Sequence, residues 1–412
     1  MDEASQLQHR LIPVQVDLNE LSACPAEAES LNTWVGSLPM ANLAAATAHL
    51  SALVAEIPRL RTDYLTRLEL LETIRPTVYY MCARIDRQSA AAGIRWNESL
   101  EDAQHLQQGL ANGFTAVVLG ALPVIRDDRA AKDAFLQALH RALNDLAHVQ
   151  LRCARYYLLP EAGHWLQVHQ LFHLARSLEI TGQKVRDPEH HNPAATTISE
   201  AWLRPVLLSL ARSNQLRTSE LSQLFNALEQ WSSQAAIVQE AGSGTVQVNL
   251  FADQAPRNAN QEASSEHVLT ISTDVLAYEL EAFLQEIPSS VPVPDYVSEK
   301  LLRHLVSVWS RPRAREHRRL RVTDEVEVGI GLRIASNCFA REIGEQRAAE
   351  SLPEHEVAAK TTLPPLATHQ TRATDTSPSV SGSRGPTVCR LLPRSARSSP
   401  CVNAPATNGG SG

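Results

Sequence analysis

The sequence predicts a mainly α-helical protein: a multi-helix N-terminal domain, a small α/β connecting region, the start of a β domain and a disordered C-terminal tail. Three observations carry that expectation. Apolar residues recur at spacings of three and four from about residue 30 to about residue 235, the mark of amphipathic helices. Near residue 240 the texture changes to Gly-Ser-Gly followed by the alternating Val246, Val248 and Leu250 of a strand. Beyond about residue 343 the chain is rich in Ser, Thr, Pro, Gly and Ala, and such a segment buries too little apolar area to offset its ordering entropy.

Residues 1–29 form an arm ahead of the helical domain, residues 30–240. Its first long segment carries Leu50, Leu53, Val54, Ile57 and Leu60, then Leu65, Leu68, Leu71 and Ile74. Pro58 is expected to kink or split this run, and Pro76 to stand near its end. The next helix places Leu106, Leu110, Phe114, Val117 and Val118 on one face, and the one after it Phe135, Leu136, Leu139, Leu143, Leu146 and Val149. Two further helical segments follow, from "GHWLQVHQLF" and from "TISEAWLRPV", separated by a longer connection over residues 181–197. Short connections elsewhere favour an antiparallel bundle or stacked helix pairs, without a strict repeat. In the connecting region, 241–310, "HVLTIS" reads as a strand and leads into a helix capped by Thr273 or Asp274. "YVSEKLLRHLVSVWS" is a second helix, with Val297, Leu301, Leu302, Leu305, Val306 and Trp309 on its apolar face. A strand is expected around Val326 to Leu332, within a β segment at 311–342, and the tail occupies 343–412.

Composition narrows the function. The 412 residues suggest two or three domains, and 43 % hydrophobic content suffices for a sizeable core. No apolar run is long enough to span a bilayer, and the polar start "MDEASQLQHRL" lacks a signal-peptide core, so a cytoplasmic protein with no membrane insertion is expected. The six cysteines are scattered without a CxxC pair, which argues against a zinc ribbon or a disulfide framework. A formal net charge of −7 argues against binding a nucleic-acid polymer.

Against that acidity, "RPRAREHRRLR", residues 311–321, gathers six arginines in eleven residues. Arginine keeps its charge, and its planar fork matches phosphate oxygens and stacks on a base. The stretch is therefore either a grip for a phosphorylated ligand or a solvated basic linker. No aromatic residue interleaves it, which weakens a single-strand stacking role.

Arg315-Glu-His-Arg-Arg319 fits an RxxxR pattern ahead of the Val326–Val328 strand. With the upstream helical segments "LNTWVGSLPMANLAAATAHL", "HRALNDLAHVQLRCARYYLLP" and "WLRPVLLSLARSNQLRTSELSQLFNALEQW", it resembles the PilZ-domain proteins, bacterial receptors for cyclic di-GMP, in a gamma-proteobacterial form with a long helical region. The resemblance covers roughly residues 14–340. It implies a partial PilZ-like β-barrel at the C-terminal end. It also implies that Arg315 and Arg319 hold phosphates and guanine faces; Arg311 and Arg318 are alternatives, since Arg311 to Arg315 also fits the spacing. The family's second motif, [D/N]xSxxG, maps to Asp375 and Ser377, which would meet the guanine edge. Val380 stands where that motif has glycine, and no strand-like alternation follows; we expect a change of reading frame near residue 379.

Other constellations carry less. His169 and His173 lie one helical turn apart, as zinc sites require, but no carboxylate or cysteine accompanies them, so packing explains them more economically. His190 and His191 read as an exposed loop pair, and Glu69, Glu72, Asp127 and Asp128 as solvated surface. Nucleophile elbow, P-loop and complete dinucleotide fingerprint are all absent. The expected function is thus a non-catalytic signalling adaptor. It needs no metal or cofactor, senses cyclic di-GMP through its C-terminal region and contacts an unidentified protein partner through its helices. The alternative is a helical scaffold carrying a degenerate PilZ remnant that binds no nucleotide.

Overall fold

The computed structural model describes residue 11, residues 15–91, 98–239, 245–258 and 267–310, and the backbone of 326–329, 369–371 and 389–390. It divides into two units, residues 1–314 and 315–412.

The first unit is built on helices α1 (Ala28–Ser37), α2 (Leu43–Glu56), α3 (Tyr64–Ala91), α4 (Glu98–Ala121), α5 (Arg129–Tyr156), α6 (His164–Ser177), α7 (Ile198–Leu210) and α8 (Thr218–Trp231). Pro58 splits the first predicted run as expected: a 3-10 turn at Ile57–Arg59 separates α2 from α3. Pro76 does not end it. Helix α3 continues to Ala91 because Val78, Met81, Cys82 and Ile85 beyond the proline are all buried, and that burial outweighs the one missing backbone hydrogen bond. Helix α4 packs against both α3 and α5, and α5 against α7. Sequence-local signals set several boundaries. The Asp128 side chain accepts the Ala130 N–H at 2.8 Å to start α5, so this carboxylate, expected to be solvated surface, is a helix cap. Thr197 and Glu200 form a reciprocal capping box on α7, at 3.1 and 2.9 Å.

The connection at 181–197 is not a plain loop. Lys184–Val185 (β1) pairs antiparallel with Thr196–Thr197 (β2), closing residues 186–195 into a strap. Beyond α8, a four-stranded antiparallel sheet has the order β3-β6-β4-β5. Its strands are Ala236–Val238 (β3), Thr245–Asn249 (β4), Arg257–Asn258 (β5) and Val268–Ser272 (β6). Helices α9 (Asp274–Leu284) and α10 (Glu299–Trp309) follow and pack on each other; the Ser298 side chain caps α10, while Thr273 holds the N-cap position of α9 without a side-chain capping bond.

Trp202 stacks on Phe172 with ring centroids 4.0 Å apart and planes 4° from parallel, both fully buried. Trp202→Ala is expected to cost about 3–5 kcal/mol of unfolding free energy. Urea denaturation checks this; a cost below about 1 kcal/mol would mean that the site collapses around the loss.

The second unit contributes the backbone of Val326–Gly329 (β7), flanked antiparallel by His369–Thr371 (β8) and Cys389–Arg390 (β9). The predicted strand at 326 is present. Strands β8 and β9 fall within residues 343–412, the rest of which lies outside the described residues; with three and two residues they are too short to show the alternation by which a strand is read from sequence.

Candidate functional site

The ligand residues expected from sequence, Arg311, Arg315, Arg318, Arg319, Asp375 and Ser377, all lie outside the described residues. The elements leading to the arginine stretch are described. Helix α10 buries Leu301, Leu302, Leu305 and Trp309 on one face. It is tied to the helical domain by Lys300–Glu220 at 2.9 Å and by His304 Nε2 with the Ala211 carbonyl at 2.8 Å. Its last turn is fixed by the Thr273 hydroxyl, which donates to the Trp309 carbonyl at 2.7 Å. Trp309 is thus the last core residue of its helix, two positions before Arg311.

The main polar constellation among the described residues lies elsewhere, inside the helical domain. Helix α5 is buried on nearly every side, so its polar residues at spacings of three and four face other helices rather than water. Asp187, on the strap, is their focus. Arg75 of α3 grips its carboxylate with both terminal nitrogens, at 2.6 and 2.9 Å. Arg141 of α5 stands at 3.3 Å, and the Asn144 amide donates at 3.2 Å. Arg141 also pairs with Glu72 at 2.9 Å. Arg75 reaches the Tyr79 hydroxyl at 2.8 Å and lies 3.6 Å from Asp145, which accepts from Tyr79 at 2.5 Å and from Gln107 at 2.9 Å. A second group flanks the first. Arg204 of α7 stacks over Phe225 and pairs with Glu229 at 2.9 Å. Asp86 takes Arg152 at 3.2 Å and Arg155 at 3.1 Å.

Electrostatics follow from this packing. Burial raises the Asp145 carboxyl to about 6, with Arg75 pulling the other way. Burial also acts on Asp187, but the Arg75 and Arg141 guanidinium groups dominate and hold it well below the carboxylate range. Burial lowers the nearby histidines: His190 to about 3, and His140 and His148 well below their ordinary value.

Glu72 was expected at the surface and instead pairs with a buried arginine. His190 was expected in an exposed pair; its side chain is 4 % exposed, beside Asp187 and with its ring 5.6 Å from that of His140, while His191 is exposed. His169 is packed as expected: Nε2 meets the Gln254 carbonyl at 3.0 Å, and Nδ1 accepts the Trp202 N–H at 3.4 Å. His173 lies against Phe251, with ring centroids 4.9 Å apart. No group of three His, Cys, Asp or Glu side chains able to hold a metal occurs among the described residues. The signal that could have revealed the network is the run of polar residues at His140, Asn144 and His148, every fourth residue, with Arg141 and Asp145 beside them on the same helix.

A multi-helix domain followed by an α/β segment and an arginine-led strand defines a helical protein with a PilZ-type C-terminal region. Residues 29–241 match the N-terminal domain of the cyclic-di-GMP receptor FimW, and residues 246–379 match the middle PilZ domain of the same receptor. The chain belongs to the FimW family. It is similar to the cyclic-di-GMP receptor FimW of Pseudomonas aeruginosa, with 28 % identity over 333 residues, 78 % of this chain and 54 % of that protein. The chain thus spans about half the length of this curated relative. No solved structure matches it. The second match takes in the connecting region and the arginine stretch, and stops at residue 379, just before Val380.

Proposed function

We propose that this chain is a non-catalytic receptor for cyclic di-GMP that acts as a signalling adaptor in the cytoplasm. The observation that carries the reading is the match of residues 246–379 to a PilZ domain of a cyclic-di-GMP receptor, because that span contains both the arginine stretch and the Asp375–Ser377 segment. Arg315 and Arg319 take the phosphates and guanine faces, with Arg318 and Arg311 beside them, and Asp375 and Ser377 take the guanine edge. The guanidinium fork suits a ligand with two phosphates and two flat bases. The helical domain contacts a protein partner, and ligand binding shifts the population of states presented to that partner. No helix among the described residues is long and apolar enough to cross a membrane.

Calorimetric titration with cyclic di-GMP tests the reading. Binding is expected in the wild-type protein, and Arg315→Ala or Arg319→Ala is expected to weaken it by about 10- to 100-fold, the value of a charge-assisted hydrogen bond. An absence of heat at high ligand concentration supports the second reading, a helical scaffold with a non-binding PilZ remnant. That reading is favoured by Val380, a residue that resists the backbone conformation glycine supplies to the motif.

A further inference from the structure

The strap over residues 186–195 is held in an unusual way. Asp187 is its only residue buried as a whole, and the His190 side chain, 4 % exposed, turns inward beside it; Pro188, His191, Pro193, Ala194 and Ala195 are exposed, and no apolar side chain of the segment enters the core. Polar contacts attach it. At one end the Arg186 carbonyl accepts from Arg141 at 3.0 Å. At the other, Thr196 meets His140 Nε2 at 2.7 Å. Between them the His191 and Asn192 amides donate to Glu229 at 3.2 and 2.7 Å. The centre is the Asp187 carboxylate.

The strap itself gives that carboxylate only the Glu189 N–H, at 3.0 Å, and the His190 ring, at 3.8 Å; its side-chain donors at 3.3 Å or less all belong to the helices. Arg75 is also held by Tyr79 and Asp145, Arg141 by Glu72, and the Asn144 amide by His140 Nδ1 at 3.0 Å. These side chains keep their positions through contacts on α3 and α5 that do not involve Asp187. Together they form a two-pronged guanidinium, a second guanidinium and an amide donor, all nine-tenths buried and converging on one planar anion. That is the geometry with which proteins recognise a free carboxylate.

We propose that Arg75, Arg141 and Asn144 form a carboxylate-binding pocket that the protein fills with its own Asp187 as a tethered ligand, so that the 186–195 strap can be displaced by a free carboxylate. A segment without apolar anchors opens at a lower free energy than the helices beneath it. Tethering gives Asp187 a high effective concentration, which keeps the pocket closed until a competing anion or a loss of charge releases it.

Two measurements test this on the full-length chain, with acetate as the probe and chloride at matched ionic strength as the control. In Asp187→Ala the emptied pocket is expected to take acetate. About 0.1 M acetate should then raise the melting temperature saturably, by the equivalent of about a tenfold gain in the folded-to-unfolded ratio, if it binds with a dissociation constant of about 10 mM. Chloride should not do so, and Asp187→Asn, which fills the pocket with a neutral amide, should not respond. In the wild-type protein, amide exchange at Glu189, His191 and Asn192 should be faster in acetate than in chloride, while exchange within α5 is unchanged. This second measurement decides the matter even if Asp187→Ala does not fold. Equal strap exchange in both salts overturns the proposal, as does a folded Asp187→Ala variant that melts identically in both.

Discussion

Acidification from pH 7 to about pH 5 is expected to unfold the helical domain cooperatively, well above the pH at which carboxylates alone would destabilise it. Burial holds five histidines in the neutral form: His140 and His148 well below their ordinary value, His164 and His169 at about 4, and His190 at about 3. In the unfolded chain each takes up a proton near pH 6.5. Between that pH and the lowered folded values the unfolded state binds more protons, so stability falls as pH falls, by about 1.4 kcal/mol per pH unit for each histidine. Asp145 acts in the opposite sense. Raised to about 6, it binds a proton in the folded state first, so its contribution grows as pH falls from about 6 towards 4. Five histidines less one aspartate leave a slope of the order of 5 kcal/mol per pH unit near pH 5, against a typical total stability of about 5–15 kcal/mol. Asp187 adds its own loss as pH falls through the ordinary carboxylate range and below it, after the histidines have begun to act. Far-UV circular dichroism against pH, with proton uptake measured in parallel, checks this. A domain that stays helical and takes up no excess protons down to about pH 4 would sink the account.

Arg75→Ala is expected to destabilise the protein by about 3–5 kcal/mol, the cost of leaving a buried charge without its partner. Arg75 holds Asp187 bidentately and lies 3.6 Å from Asp145, with both carboxylates fully buried. Its loss removes the guanidinium that both buried carboxylates share and leaves Asp187 with Arg141 at 3.3 Å. Adding Asp187→Asn should therefore recover part of the loss, because the amide needs no counter-charge. Such non-additivity marks residues of one network. Urea denaturation of the two single variants and the double variant measures it. A double variant whose loss equals the sum of the single losses would mean that Arg75 and Asp187 act independently.

The helices were legible because helix formation is a local event. A spacing of three and four residues marks the helical segments, although it runs α7 and α8 together as one, and Thr273 stands at the start of α9 as expected. The arginine stretch was legible for the same reason, as was its place after the helix ending at Trp309. Pro76 was misplaced because the burial that carries α3 past it comes from other helices, and local rules weigh only the proline. His190 and Glu72 were read as surface because their partners are remote in the chain.

By itself the sequence determined the succession of helices, the change to strands near residue 245, and the charge pattern that points to a phosphorylated ligand. Only the tertiary structure decided which polar residues are inside. Arg75 and Asp187 are separated by 112 residues, and Asp145 comes from a third segment. A lone arginine and a lone Asp-Pro strap look like surface in sequence, because either one buried alone would be prohibitively costly. They become core only when the fold brings the opposite charges within hydrogen-bonding distance, and that compensation is a property of the packed helices rather than of any local stretch.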